Sequence, residues 1–442
     1  MQGIEKLLGD VSDVVWGAPL LVLLFGTHLY LTFRLRFIQR YIGRAIRLSF
    51  ERGAEGEGDV SHFGALTTAL AATIGTGNIV GVATAVAAGG PGAVLWMWLT
   101  GIFGIATKYA EALLSIKYRI TTPQGTMAGG PMYVLERGMG SRRFGVVFAA
   151  LTAIAAFGIG NMVQANSIST MVEETFHVSP WLTGVVMTAF TAVVILGGIQ
   201  SIATVCEKLV PFMAVFYVVG CTILLVMHAG AIPETLRLIL RGAWSGQAAV
   251  GGFAGAGMRE AVRYGIARGL FSNESGLGSA PIVAAAAQTK TPIRQALVSS
   301  TGTFWDTVVV CAMTGLVLVN SGDWTQGLRG AALTKSAFGD IPIVGPTVLT
   351  VGLLTFVFST ILGWSYYGEK AAEYLFGSGV IAPYRVLWVA AVMVGAVTPL
   401  PAVWSFADIA NGLMAVPNLV SLLVLTHVVV GETREHLWEA SE

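Results

Sequence analysis

The quartet Gly75-Thr76-Gly77-Asn78 lies inside Phe63–Ala88, a run of residues that carries no charge. Two glycines, a threonine and an asparagine loosen a helix that the surrounding apolar residues would otherwise keep closed. A broken helix presents unpaired N–H groups at the start of one half and unpaired C=O groups at the end of the other. The N–H end suits a carboxylate; the C=O end suits an ammonium group or a sodium ion, which takes hard oxygen ligands. A zwitterionic amino acid together with sodium matches both polarities without a full protein charge. Gly75 and Gly77 let a ligand approach the backbone, and Asn78 adds an amide oxygen for a cation or an N–H for a carboxylate. Small residues also serve helix packing in membranes, and for this quartet alone packing explains the pattern as well as ligand binding does.

A second weak point, Gly269–Pro281 (GLFSNESGLGSAP), shifts that balance. Phe271, Ser272 and Asn273 flank it and are expected to contact the substrate, with Phe271 placed to wall a small side-chain pocket. Glu274 is an ionisable group at the break, and charges at such depth usually have a task. Holding the break open is favoured over gating, with Arg268 or Arg263 as its candidate partners. Asn161, Gln164 and Ile168 follow i, i+3, i+7 spacing and give one helix a polar edge. Gln164 is placed to meet a substrate amino group, Asn161 to bond a neighbouring helix. Asp306 reads as a partner for an adjacent span, with a proton-relay role second. Lys108 and Glu111 read as a local i, i+3 ion pair, Asp408 and Asn411 as scaffold or gate, and Tyr366, Tyr367 and Lys370 as interface anchors.

Elements crossing a bilayer must position these groups. The chain has 442 residues, 54% hydrophobic and 12% charged, where a soluble domain carries roughly 25% charged. Mean hydropathy is +0.71. This is a polytopic membrane protein, and a net charge of +1 gives no reason to expect nucleic acid. Cys206, Cys221 and Cys311 stand at unrelated spacings in apolar segments and read as small buried hydrophobes, and the histidines are scattered. The first ten residues are polar and Asp13 interrupts any early apolar run, so no cleavable signal peptide is expected. With about 20 apolar residues per span, eleven spans are predicted, centred near Leu23, Ala72, Gly101, Phe157, Ala189, Phe216, Gly269, Thr307, Val357, Val389 and Leu419. The loop with Arg34, Arg36, Arg40, Arg44, Arg47 and Arg52 is expected in the cytoplasm. That puts the N-terminus outside and the C-terminus inside, and Lys117, Arg119, Arg137, Arg142, Arg143, Lys290 and Arg294 agree. The links Ala88–Gly92 and Thr398–Ala402 are uncharged and fall outside. The arginines of Pro233–Arg263 are the exception, on an outer loop long enough to form its own helices.

With the first span set aside, ten spans divide into five and five, and each break falls in the first span of its half. Five is odd, so the halves enter the membrane from opposite sides. Paired interrupted segments in such halves point to a secondary transporter with an inverted repeat. In lipid every backbone polar group needs a partner, so two broken helices also imply an internal cavity.

Three stretches carry a resemblance: ATIGTGNIVGVATAVAAGGPGAVLWMW, GIFGIATKYAEALLSIKYR and RGLFSNESGLGSAP. They closely resemble the alanine or glycine:cation symporter family, and with eleven spans the likeness covers essentially the whole chain. The resemblance implies a leucine-transporter-like fold of ten core helices plus one extra N-terminal helix, and sodium-coupled uptake of alanine or glycine. It implies that backbone groups of Gly75, Thr76 and Gly77 meet a substrate carboxylate, and that Asn78 touches sodium or substrate. In FVFSTILGW it places Ser359 and Thr360 on sodium, with the carbonyls of Ala71, Ile74 and Phe356 completing the set. Trp364, one turn beyond Thr360, would cap the pocket. The family's core site shares only part of its residues with the leucine transporter.

The expected fold is all-α, with discontinuous first and sixth core helices. Residues 1–52 form the extra helix and basic loop, 53–230 and 231–430 the two repeats, and 431–442 a cytoplasmic tail. The expected function is sodium-driven import of alanine or glycine across the cell (inner) membrane, the alternative being a proton-coupled or uncoupled permease of the same fold. Sodium is the co-transported ion; the partners are the amino acid, sodium and the bilayer, with no nucleic acid. No nucleophile–histidine–acid set, P-loop or metal-binding histidine pair suggests an enzyme. The glycine-rich Gly251–Gly257 follows no strand, which argues against a nucleotide site.

Overall fold

The computed structural model describes residues 2–51, 56–244, 257–398 and 401–439. Arg52, residues 251–256 of the glycine-rich run, 399–400 of the uncharged link and 440–442 of the tail lie outside the described residues.

Helices dominate. The principal ones are α1 (Gln2–Val15), α2 (Ala18–Arg34), α3 (Ile42–Ser49), α4 (His62–Thr73), α5 (Gly77–Gly89), α6 (Gly92–Lys117), α7 (Arg142–Phe176), α8 (Pro180–Ile195), α9 (Gly198–Met227), α10 (Ile232–Trp244), α11 (Met258–Asn273), α12 (Pro292–Ser321), α13 (Gly330–Gly339), α14 (Val344–Phe376), α15 (Ile381–Val397), α16 (Pro401–Val424) and α17 (Thr426–Thr433). Among the described residues, eight helical stretches are long and apolar enough to cross a membrane, or nine if the pair α4–α5, bent by 54°, is one broken span. All eleven predicted centres fall in helices. The outer faces of α8 and α9 expose Val185, Phe190, Val193, Phe212, Val215 and Val219. A contiguous apolar belt of this kind is a liability in water and a solvated surface in lipid.

Local sequence sets the helix ends. Ser61 caps α4 by accepting the Gly64 N–H at 2.9 Å. Pro180 and Pro292 occupy first-turn positions, where their missing N–H is harmless. Polar residues inside helices mark the irregular turns: Ala156–Met162 and Phe304–Cys311 are π-helical segments that carry Asn161 and Asp306.

Two breaks organise the interior. The first separates α4 from α5 at Ile74–Thr76. The second ends α11 at Glu274, held left-handed at φ 56°, and runs through Gly276 and Gly278 to a short helix, Pro281–Ala284. The approach to the first break and the exit from the second are stitched together. Val60 and Ala287 form a parallel bridge, with Gln288 N–H donating to Val60 O at 2.8 Å. Arg119 donates to Ala285 O and Ala287 O at 3.0 and 2.8 Å and to Glu57 O at 2.7 Å. Beside this layer the Asp59 carboxyl accepts from Met127 N–H at 2.9 Å, and burial raises its pKa above the ordinary carboxylate range. A two-stranded hairpin, β1 (Ile120–Thr121) and β2 (Met127–Ala128), completes the layer.

Two sequence expectations are corrected here. Tyr366, Tyr367 and Lys370 are not interface anchors: all three are buried, and Lys370 pairs with buried Glu373 at 2.7 Å. Helix α14 is 33 residues long, and residues 359–373 of it are buried in protein, so these three side chains lie short of its exposed end at Phe376. Lys108 and Glu111 do not form an ion pair. Glu111 Oε1 instead accepts from Gly276 N–H at 3.0 Å and Asn418 Nδ2 at 2.7 Å.

Helix α14 crosses α4 in near backbone contact, because a Cβ on Gly363 would lie 2.7 Å from Ala72 N and 2.8 Å from Ala72 Cα. Gly363→Val therefore forces the helices apart. Overpacking of this kind costs about 1–3 kcal/mol, and the melting midpoint in detergent is expected to fall by roughly 3–8 °C. Gly26→Ala, a helical site with open space around the new methyl, is the control and keeps or raises the midpoint.

Candidate functional site

Ser359 and Thr360 share one turn of α14, and both hydroxyls fold back onto Phe356 O, at 2.8 and 3.0 Å. They also reach across to the first break. Ser359 Oγ lies 3.2 Å from Ala71 O, and Thr360 Oγ1 lies 3.3 Å from Ile74 O. The five residues expected to hold a cation thus bring five neutral oxygens together, and all five are buried.

Asn78 explains why those carbonyls are free. In an unbroken helix Ala71 O would accept from Gly75 N–H and Ile74 O from Asn78 N–H. Here Asn78 Oδ1 takes the Gly75 N–H at 2.9 Å, and Asn78 N–H turns to Gly75 O at 3.2 Å. One side chain closes the turn and leaves both upstream carbonyls facing α14. Gly75 is required for the same approach, since a Cβ there would lie 2.6 Å from Thr360 Oγ1.

Asn78 was expected to face sodium or substrate, and the structure corrects this: its amide points elsewhere. Asn78 Nδ2 donates to Asp306 Oδ1 at 2.7 Å and contacts Cys311 Sγ at 3.3 Å. Ser272 and Asn273 share that fate. Ser272 Oγ donates to Asp306 Oδ2 at 3.0 Å, and Thr307 Oγ1 does so at 2.6 Å. Asn273 donates to Thr307 Oγ1 at 3.1 Å and accepts from Ser275 N–H at 2.9 Å. Asp306 does pair with a neighbouring span, and it ties the two breaks into one buried network.

Next to the five oxygens lies a small cavity, walled by Thr76, Gly77, Gln164, Phe271, Glu274, Trp364 and Asn411, with Thr73 and Ile159 alongside. Phe271 and Trp364 both line it. Gln164 Nε2 donates to Ile159 O at 2.8 Å, while its Oε1 is buried without a partner among the described residues. Asn411 Oδ1 is in the same condition. Glu274 Oε1 accepts from Trp364 Nε1 at 3.0 Å, and its other oxygen accepts from Ser279 Oγ. Neither expected arginine takes that carboxylate: Arg263 pairs with Asp13 at 3.5 Å, and Arg268 lies over the Phe271 ring. Gln164 Oε1, Asn411 Oδ1 and the Glu274 carboxylate are acceptors in this lining, which suits an ammonium with three N–H donors. The start of α5 also lines the cavity, at Gly77, and first-turn N–H groups suit a carboxylate.

Sequence reasoning missed Thr73 and Ile159 and left Asn411 undecided. Asp408 and Asn411 are i, i+3 on one face, and that spacing was the available signal; the direction of the amide was not in it. Asn161, as expected, bonds across helices, donating to Trp388 O at 2.9 Å. All three cysteines are buried and free.

Comparison with known proteins fits this geometry. The chain is 52% identical over 440 residues to the sodium/alanine symporter AgcS of Methanococcus maripaludis, covering 97% of this chain and 96% of that one. It is 51% identical over 438 residues to an uncharacterised transporter of Haemophilus influenzae, covering 98% and 96%. The crystal structure of MhsT in complex with L-phenylalanine shares the fold, with a TM-score of 0.58 at 14% identity over 84% of this chain and 89% of that one. The sequence model of the sodium:alanine symporter family matches residues 1–442, and the chain belongs to that family.

Proposed function

We propose that this protein carries alanine, and glycine by the same fit, across the cell (inner) membrane together with sodium, by alternating access. It is a membrane transporter and not an enzyme. The observation that carries the sodium assignment is the convergence of Ala71, Ile74 and Phe356 carbonyls with the Ser359 and Thr360 hydroxyls. Neutral oxygens at a helix break are what a dehydrated alkali ion requires. Sodium there replaces the hydroxyl-to-carbonyl hydrogen bonds and fixes α4 against α14. The substrate ammonium meets Gln164 Oε1, Asn411 Oδ1 and Glu274, and its carboxylate meets the backbone at Thr76 and Gly77. Phe271 and Trp364 leave room for a methyl group or a hydrogen and clash with larger side chains. Because both ligands stabilise the same arrangement of the first break, each raises the affinity for the other by the same factor.

The eleven-span reading counts the nine stretches together with Pro180–Ile195 and Met258–Asn273. The inverted repeats take residues 53–230 and 231–430, with 1–52 and 431–442 outside them. The arginine-rich layer faces the cytoplasm, with the N-terminus outside and the C-terminus inside.

Purified protein in proteoliposomes is expected to concentrate labelled L-alanine with an inward sodium gradient and not with choline in its place. Equal uptake in both would remove sodium coupling. Ser359→Ala and Thr360→Ala each delete one ligand, worth about 1.5–3 kcal/mol for a charge-assisted contact, so the sodium concentration for half-maximal uptake rises roughly tenfold or more. Alanine affinity at saturating sodium changes little. Asn78→Leu returns the Gly75 N–H to Ala71 O, and sodium-dependence curves of that variant are expected to shift at least as far as those of the hydroxyl variants. Wild-type curves would separate Asn78 from the cage.

A further inference from the structure

Helix α2 ends at Arg34, and the chain then makes a strained turn. Arg36 and Phe37 both adopt left-handed backbone conformations, with φ of 52° and 57°. Two consecutive residues with side chains in that region are costly and persist only where their surroundings hold them. Here Phe37 N–H donates to Thr32 O at 2.8 Å, and Gln39 Nε2 donates to Thr32 Oγ1 at 2.8 Å and to Ile102 O at 3.2 Å. The turn leads into a helical stretch, Ile38–Ser49, made of one 3-10 turn and α3. Ile38, Ala45 and Ser49 are its buried face, packed on α6 and α12. Arg40, Arg44 and Arg47 follow i, i+4, i+7 on the opposite edge, and all three are exposed, as are Arg34 and Arg36 beside the turn. None of these five forms an ion pair among the described residues. The acid that follows, Glu51, is taken by Arg294 at 2.8 Å. Phe33, Phe37 and Phe50 stand exposed among the arginines.

Sidedness requires arginines in this loop, but it requires neither their single edge nor the strained turn. Like charges at i, i+4 repel, so three arginines on one edge call for negative charge from outside the chain. We propose that this turn and the outer edge of α3 are a docking surface for anionic phospholipid, the arginines taking headgroup phosphates and the phenylalanines entering the acyl boundary beside them. Arginine suits the phosphate because its planar fork donates two parallel hydrogen bonds. A soluble anion would use the arginines and leave the three phenylalanines in water. The surface continues from the outer side of α2, where Val22 and Phe33 are exposed, and that continuity favours lipid over an acidic protein. The site is joined to the transport core, because α3 lies against α12, the helix that carries Asp306.

The test is native mass spectrometry of the full-length, delipidated protein in detergent, titrated with phosphatidylglycerol or with phosphatidylcholine of the same acyl chains. Wild type is expected to bind phosphatidylglycerol in clear preference. Each arginine near an anionic lipid surface is worth about fivefold, so the triple variant Arg40→Gln, Arg44→Gln, Arg47→Gln is expected to lose that preference by at least about tenfold. The triple lysine variant at the same positions keeps the charge and most of the binding. Should the triple glutamine variant not purify, Arg44→Gln alone carries the test, with a loss of about fivefold. The control is Arg142→Gln with Arg143→Gln, two exposed arginines at the start of α7 and outside this edge, and it is expected to bind as wild type does. Equal binding of the two lipids by wild type would overturn the proposal. So would a triple glutamine variant that binds as wild type does, or a control pair that loses as much, since binding would then follow total charge. Displacement of the lipid by inorganic phosphate, and not by chloride of equal ionic strength, would make this a site for soluble anions and overturn the lipid assignment. The outcome is independent of sodium coupling, so failure here leaves the transport reading in place.

Discussion

The structure depends on one constraint: inside a bilayer no water repairs a broken helix, so every backbone group released at a break must be taken up by the protein. At the first break Asn78 meets that need and shapes the site in doing so. By accepting the Gly75 N–H it satisfies an orphan donor and withholds it from Ala71 O. The freed carbonyls are the ones that Ser359 and Thr360 approach. At the second break Glu111, from a helix 165 residues earlier in the chain, accepts the Gly276 N–H. Asn418 donates to Gly276 O at 2.9 Å. The first break is closed by a side chain of its own broken helix and the second by residues of α6 and α16.

Much of this was legible in the sequence, for physical reasons. Glycine, serine and asparagine in a long uncharged run are costly in lipid unless they serve a purpose, so both breaks stood out. The hydroxyl pair and its carbonyl partners came from the resemblance rather than from a pattern in the residues, and the structure brings the five oxygens near one another. The direction in which an amide or a charge points was not legible. Asn78 and Ser272 sit at the breaks as expected but donate to Asp306, and Asn273 donates to Thr307, because a buried carboxylate and its partners demand donors more strongly than a cavity does. Lys108 and Glu111 have ion-pair spacing, yet spacing says only that two residues share a face; the Gly276 amide was the better partner for Glu111. Tyr366, Tyr367 and Lys370 misled because the length of α14 beyond the bilayer does not say whether its end is covered by lipid or by protein.

The polar interior mixes two kinds of support. Asp306 and its donors form a closed network in which all the side-chain oxygens of the carboxylate are engaged. Satisfied buried networks of this kind rigidify their surroundings. The central cavity is the opposite: Gln164 Oε1 and Asn411 Oδ1 have no partners among the described residues. Unsatisfied acceptors in a dry interior raise the free energy of the empty site and favour a ligand that brings donors. The site is therefore rigid on the Asp306 side and receptive on the Gln164 side, and the substrate-contacting groups are better assigned to the second than to the first.

The same hydrogen bonds constrain how access can alternate. Val60 precedes α4 and Ala287 follows the second break, and their bridge joins the two broken elements on the arginine-rich face. Arg119 reinforces it through three carbonyls. While these bonds hold, the approach to α4 and the exit from the second break are tied to each other on that face. On the opposite side α1 is fastened to α16, with Trp16 Nε1 donating to Asp408 O at 3.0 Å, close to where Phe271 closes the cavity. Movement of one face therefore reaches the cavity through backbone hydrogen bonds, and movement of the other reaches it through one aromatic side chain and a peripheral helix. Sodium at the first break, as proposed above, would strengthen the contact between α4 and α14 that lies between the two faces, so its binding would bear on both. That position, rather than any contact with substrate, is how an ion held by neutral oxygens would govern which face opens.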